Sequence, residues 1–273
     1  MHILVCVKQV PDTTDVRIDP ETGALVREGV PSILNPYCAH ACEEAVRLKE
    51  RLDAQVTVIC MGPPQAAEAV RDCIAIGADR GVLVSDRAFA VADTWATSYT
   101  LALAVRRAEK EWGPAQLILC GKQAIDGDTA QVGPGIARRL GIPQITYALR
   151  TASLDLQART VDVDRRLEKG IETVTTSLPC LLTCVEEMNE IRYASLPNLI
   201  RSLRYEPLVW GPADLEADAE RCGLKGSATA VAKVFAPPER EPGEMVEGET
   251  AAATVSAMVG KLRERLGHPA AAG

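Results

Sequence analysis

Short apolar runs alternate with amphipathic stretches along the first half of this 273-residue chain. Runs at 2–7, 55–61, 80–85, 115–120 and 144–148 read as buried strands. Between them, 36–52, 66–76 and 93–111 carry apolar residues at helical spacing, as Ala41, Ala45, Val46, Leu48 and Leu52 do in the first. Pro36 suits the first position of a helix, and Asp93 reads as an N-cap. Strands alternating with helices fold as an α/β protein with a doubly wound, mostly parallel sheet. In such a sheet ligands sit beyond the carboxyl ends of strands, near the point where strand order reverses.

Two segments depart from that rhythm. Residues 16–33 hold two extended pieces around the turn cluster Asp19-Pro20-Glu21-Thr22-Gly23, a hairpin excursion. From Ser153 onward, 153–164 and 171–177 alternate polar and apolar residues around Glu168-Lys169-Gly170, which predicts an antiparallel pair. A further apolar strand is expected at 178–185. Residues 1–210 therefore read as the sheet domain and 211–273 as a C-terminal arm, with Pro237-Pro238, an acidic run over 239–249 and a final amphipathic helix over 251–266. A tail with so little core of its own needs a surface to lie on.

Composition narrows the function. A net charge of −7 argues against nucleic acid, whose binding leans on basic patches. Nine cysteines lie mostly inside apolar runs, as buried free thiols of a reducing, cytoplasmic compartment would. No run reaches the ~18 apolar residues of a spanning helix, and Met1-His2 runs directly into a strand. With three histidines no His-based catalytic arrangement is visible. Cys38/Cys42 and Cys180/Cys184 are spaced by four, which zinc sites do not favour. Neither a catalytic group nor a metal site is expected.

The segment most suggestive of a ligand runs from Gly121 to Gly135. It links a buried strand to a helix, with Gly127 expected at a positive φ, Asp128 as N-cap and Gln131 completing a capping box. A helix N-terminus opening at the carboxyl edge of a sheet offers backbone N–H groups and a positive dipole end to phosphate. Asp126 and Asp128 are read as turn and cap residues, not as an acid–base pair, since no partner nucleophile accompanies them.

Six segments, in order, resemble the β subunit of electron-transfer flavoproteins over about residues 1–210. They are Val7-Lys8-Gln9-Val10-Pro11-Asp12, Asn35-Pro36-Tyr37, Glu43-Glu44-Ala45, Gly77-Ala78-Asp79-Arg80, the 123–133 loop, and the stretch Asn189-Glu190-Ile191-Arg192-Tyr193-Ala194-Ser195-Leu196-Pro197-Asn198. The resemblance implies a heterodimer with an α subunit carrying the electron-shuttling FAD. It also implies a nucleotide in this chain: AMP in single-flavin members, a second FAD in the bifurcating class, where NADH is the electron donor. Gly127, where single-flavin members tend to carry a further acid, favours the bifurcating class. So does Ser85-Asp86-Arg87-Ala88-Phe89 followed by Asp93-Thr94-Trp95-Ala96-Thr97-Ser98, which resembles the flavin-receiving region of that class. The whole is similar to β-type subunits of complexes that feed electrons to nitrogenase. Trp95 stands where Leu is expected, and Cys38 where relatives often carry Asp.

By this resemblance the cofactor-binding positions are Cys6 and Val7; Asn35, Pro36, Tyr37 and Cys38; Met61 and Gly62; Asp93, Thr94, Thr97 and Ser98; and the loop Gln123, Ala124, Ile125, Asp126, Gly127, Asp128, Thr129, Ala130, Gln131, Val132 and Gly133. Leu196 and Pro197 match the loop that docks onto a partner dehydrogenase or quinone reductase. The rival expectation is a structural subunit that holds AMP permanently. A stand-alone hydrolase or ligase would need a catalytic constellation the chain does not display.

Overall fold

The computed structural model describes residues 1–12, 17–18, 25–26, 31–232 and 243–267. They form two units, Met1–Val234 and Phe235–Gly273.

The first unit is built on one nine-stranded sheet. Its central strand β1 (His2–Val7) is buried along its whole length, as a strand covered on both faces must be. β1 pairs in parallel with β6 (Gln55–Met61), which pairs with β7 (Arg80–Val84), which pairs with β13 (Leu208–Trp210). On its other side β1 pairs in parallel with β8 (Leu117–Gly121), followed by β12 (Cys180–Cys184) and β9 (Gln144–Asp155). β10 (Thr160–Leu167) and β11 (Gly170–Ser177) complete that edge as antiparallel strands. Short antiparallel pairs join β2 (Gln9–Pro11) to β5 (Ser32–Leu34) and β3 (Arg17–Ile18) to β4 (Leu25–Val26). The latter bears out the hairpin excursion, while its turn cluster at 19–23 lies outside the described residues.

The helices divide between the two faces. α1 (Pro36–Leu52) and α2 (Ala67–Ile76) share a core with the Ile3, Val5 and Val7 side of β1; α3 (Thr94–Trp112) and α4 (Val132–Leu140) share the other with Leu4 and Cys6. The chain passes outward from β1 to β6 and β7, then returns across α3 to β8 on the opposite side of β1. Strand order therefore reverses between β1 and β8, the place where such sheets form a ligand crevice beyond the carboxyl ends of the strands.

Two expectations need correction. The predicted strand 153–164 is the end of β9, a tight turn and the start of β10. Asp155 breaks the alternation: its carboxylate accepts from the N–H groups of Gln157 and Ala158, both at 2.8 Å, an Asx turn followed by Arg159 at φ 55°. β9 itself continues seven residues beyond Ala148, because an irregularity near Tyr147 (φ 59°) swings it from parallel pairing with β12 to antiparallel pairing with β10.

Beyond Trp210 the chain still packs on the first unit. Leu215 and Cys222 are buried, and the Asp218 N–H donates to the Tyr99 hydroxyl at 3.1 Å. The second unit contains α6 (Ala251–Arg265), capped by the Thr250 hydroxyl, with Val255, Met258, Val259, Leu262 and Leu266 exposed. Pro237, Pro238 and the first acids of the 239–249 run fall outside the described residues. No helix among the described residues is long and apolar enough to cross a membrane.

Candidate functional site

Asn35 organises the crevice between β1 and β8. It precedes Pro36 at the start of α1 and stands where an N-cap would, yet its side chain makes no cap bond. The side chain is fully buried and spent on the 123–125 segment instead. Its Oδ1 accepts from Ile125 N–H at 3.1 Å, and its Nδ2 donates to the Gln123 carbonyl at 2.9 Å and to Cys38 Sγ at 3.1 Å. Lys8, just past β1, clasps the Asp126 carboxylate at 2.7 Å. The Gln123 amide reaches the Asp128 carboxylate. The loop after β8 is thus tied to β1 and α1 by contacts spanning some ninety residues of sequence and more.

Gly121 closes the join at the end of β8. A Cβ there would stand 2.8 Å from Tyr37 and from the Cys38 backbone nitrogen, so only glycine lets α1 come this near. Gly133, in the first turn of α4, is confined in the same way by Thr183, at 2.7 Å. Lys122 lies within 5.5 Å of the Tyr37 ring and 5.2 Å of the Tyr147 ring. Burial pushes the Tyr37 hydroxyl pKa upward, helped by the Glu186 and Asp128 charges.

The turn geometry differs from expectation. Gly127 does not adopt a positive φ; Asp128 (φ 53°) and Ala130 (φ 54°) do. A Cβ on Gly127 would meet nothing within 4 Å. Nor does Asp128 cap α4, since that helix begins at Val132 with Gln131 in the cap position and no side-chain cap bond. The capping box fails because the Asp128 carboxylate is taken by Gln123 and the Gln131 side chain turns to Thr94. Among the described residues no side chain accepts from the first-turn N–H groups of α4, which belong to Val132, Gly133 and Gly135 because Pro134 has none.

That Thr94–Gln131 contact, hydroxyl to Oε1 at 3.0 Å, brings the 93–98 segment against the 123–133 loop. Asp93 caps α3 as expected, with Oδ1 accepting from Trp95 and Ala96 N–H. Its Oδ2 accepts from Ala228 N–H, Thr229 N–H and the Thr229 hydroxyl, so both oxygens are engaged. Burial works against the charge on Asp93, yet these hydrogen bonds prevail and hold its pKa below the usual carboxylate value. Thr94 and Thr97 stay half-buried. Ser98 is buried beneath α4: its hydroxyl donates to the Trp95 carbonyl at 2.9 Å and accepts from Arg139 Nε at 3.1 Å.

The remaining predicted positions lie at the carboxyl ends of β1 and β6 and along the 123–133 segment. Cys6 and Val7 end β1, with Cys6 in register with Cys120. Met61 ends β6, and Gly62, whose Cβ would stand 2.8 Å from that of Ala66, turns the chain. Burial raises the thiol pKa of Cys38, and that of Cys60 to about 12. A raised thiol pKa makes the nucleophilic thiolate scarcer. Ala124 and Thr129 lie on the loop itself, and Val132 is the first residue of α4. Neither Lys8 nor Gly121 is among the positions expected from the sequence to bind cofactor, although Lys8 lies in the 7–12 motif and Gly121 opens the 121–135 segment.

Away from the crevice, Leu196 and Pro197 begin α5 (Leu196–Leu203), which is capped by Ser195. Leu196, Leu199, Ile200 and Leu203 are exposed, and Tyr193 just before them is fully exposed. The approach to this helix is fixed by Arg192, which binds the buried Glu43 carboxylate through Nε at 2.9 Å and Nη2 at 3.1 Å, and also binds Glu50.

Comparison with known proteins matches the electron transfer flavoprotein domain to residues 22–202. The chain is 49% identical to Protein FixA of Bradyrhizobium diazoefficiens, over 88% of this chain and 84% of that one. It is 47% identical to the caffeyl-CoA reductase-Etf complex subunit CarD of Acetobacterium woodii (97% and 99%). It is 44% identical to the electron transfer flavoprotein subunit beta of Clostridium acetobutylicum (97% and 98%). With the doubly wound sheet and the loop at its switch point, these matches make the chain a member of the electron transfer flavoprotein family, a β-type electron-transfer subunit of the kind that pairs with an α subunit.

Proposed function

We propose that this subunit holds FAD at the β1–β8 crevice and serves a bifurcating electron-transfer complex. The observation that carries the reading is the Thr94–Gln131 hydrogen bond. It makes one continuous surface of the two segments that resemble the two-flavin class, the 93–98 turn and the 123–133 loop. The residues present suit a dinucleotide. The α4 N-terminus has no side-chain cap and offers its N–H groups and dipole to a pyrophosphate. Gly127 leaves open space beside the loop. Thr94 and Thr97 present hydroxyls on the adjoining helix, and the half-buried Tyr37, backed by the buried Asn35 and Cys38, forms the wall toward an adenosine.

When bound, FAD would supply the redox chemistry, accepting a hydride from NADH and sending electrons to the α-subunit FAD and to a second acceptor. The chain's own work is to bind and orient. Backbone N–H groups hold phosphate, the Lys8–Asp126 and Asn35 ties keep the loop in place, and no side chain need act as acid or base. The exposed α5 face, with Leu196 and Pro197 at its start, is the docking element for a dehydrogenase or quinone reductase. That reading accords with a relative named as part of a caffeyl-CoA reductase complex. The segment 211–273, with the apolar stripe of α6, is the arm that engages the α subunit.

Cofactor released by acid from the co-purified heterodimer tests this. About two FAD per heterodimer is the expected count, one from each subunit. One FAD with one AMP would overturn it in favour of a structural nucleotide.

A further inference from the structure

On the α3–α4 face lies a concavity of about 240 Å³ lined by Tyr99, Ala102, Leu103, Arg106, Arg139 and Arg221. Three arginines enter it from three separate elements: α3, α4 and the short helical turn Ala219–Arg221. Among the described residues none of the three forms an ion pair. The acids nearest in sequence are committed elsewhere. Glu220 pairs with Lys225 at 2.9 Å, Glu111 with Arg107 and Glu216 with Lys110, while Glu109 and Asp218 accept backbone N–H groups.

The guanidinium groups are also held in place. Arg139 donates from Nε to Ser98 Oγ at 3.1 Å and from Nη2 to the Trp95 carbonyl at 2.9 Å, and it stacks 4.2 Å from the Trp95 ring centroid. Arg106 donates to the Arg139 carbonyl at 2.9 Å. Arg139 and Arg221 lie 5.7 and 4.1 Å from the Tyr99 ring centroid, which keeps them within about 10 Å of each other. Burial, and then the charge of Arg221, lower the pKa of Arg139. Like charges gathered in a chain of net charge −7, with none of the described acids paired to them, create an attractive site for an anion.

We propose that this concavity binds a phosphate or pyrophosphate group of a small molecule, at a place that shares no lining residue with the predicted cofactor positions and meets the 93–98 segment through the Arg139 contacts to Trp95 and Ser98. A tetrahedral, multiply charged group can accept from several guanidinium forks at once, whereas a single carboxylate satisfies one fork. Tyr99, Ala102 and Leu103 give the apolar lining that a ring or sugar attached to the phosphate would rest against.

The test is calorimetric titration of the intact, cofactor-loaded heterodimer with pyrophosphate, inorganic phosphate and ADP at constant ionic strength. One saturable site per heterodimer is expected. Arg221→Gln should weaken it at least about tenfold, the loss of one charge-assisted contact, with cofactor content and melting unchanged. Arg221→Lys should restore part of the affinity. ADP binding more tightly than pyrophosphate assigns the site to a nucleotide; the reverse order assigns it to free phosphates. Absence of saturable binding, or binding untouched by Arg221→Gln, would overturn the proposal. So would binding lost equally in Gln131→Ala, because the ligand would then be reporting the nucleotide crevice.

Discussion

Asn35→Ala is the substitution that most directly tests how the crevice is held. The amide is fully buried and makes three contacts, to Ile125 N–H, the Gln123 carbonyl and Cys38 Sγ. Each net hydrogen bond contributes about 1 kcal/mol, and a buried backbone group left unpaired costs about 1–3 kcal/mol. Gln123 and Ile125 are only half-buried, so water can replace part of what is lost. Loss of the amide also opens a small cavity beneath the loop. Together these give a destabilisation of about 2–4 kcal/mol and a melting shift of roughly 5–12 °C. The control is Gln9→Ala, which removes one exposed bond to the Gln65 carbonyl at 3.3 Å and should change stability by less than about 0.5 kcal/mol. Thermal denaturation of the heterodimer, with cofactor counted before and after desalting, measures both effects. The variant should melt lower and lose cofactor faster, because the loop proposed to cradle phosphate is no longer tied to α1. A variant that melts within about 1 °C of wild type and keeps its full cofactor would refute the assignment of Asn35 as the tether.

Arg192→Ala should destabilise by about 2–4 kcal/mol, somewhat less than an isolated buried ion because Arg47 still contacts Glu43 at 2.6 Å. It should also weaken docking through α5; denaturant titration and partner-binding measurements check the two. Gly127→Ala should be near neutral, whereas Ala130→Gly should stabilise or cost under about 1 kcal/mol as it relieves a positive φ, and paired melting curves would expose the opposite order. Burial lowers the His2 pKa while its ring nitrogens contact the Gly113 carbonyl and the Thr57 hydroxyl at 3.0 and 2.9 Å. The unfolded chain therefore binds more protons near pH 6, so the contribution is whole above about 6.5 and is lost as pH falls through the lower folded value. Melting curves from pH 5 to 7 should slope upward in wild type and less so in His2→Gln.

What the sequence made legible was local. β6 (Gln55–Met61), α1 with Pro36 at its first position, and the Asp93 cap of α3 follow from period and from residue types acting within a turn of themselves. The insertion of β12 between β8 and β9 depends on pairings far along the chain, which periodicity does not encode. The misread strand at 153–164 shows how one side chain overrides a pattern, since Asp155 takes two backbone N–H groups that a continuous strand would have turned to its neighbours.

The site shows the same division, and there it has a functional meaning. That residues 121–135 carry the chain from a strand into a helix was readable, but not which side chain would serve which partner. Asp128 and Gln131 have the right spacing to cap α4, and each is drawn away by a residue remote in sequence or across the loop. Left-handed backbone at Asp128 and Ala130 costs of order 1–2 kcal/mol per residue, and glycine stands nearby at 127 without taking it. A chain that keeps this strain and leaves a helix end uncapped gives up stability it could have had. The Asn35 and Lys8 ties hold the loop in that state before a ligand arrives, so binding a phosphate there need not also order the loop. Pre-organisation of this kind accounts for the local rules being broken together at the one point where strand order reverses.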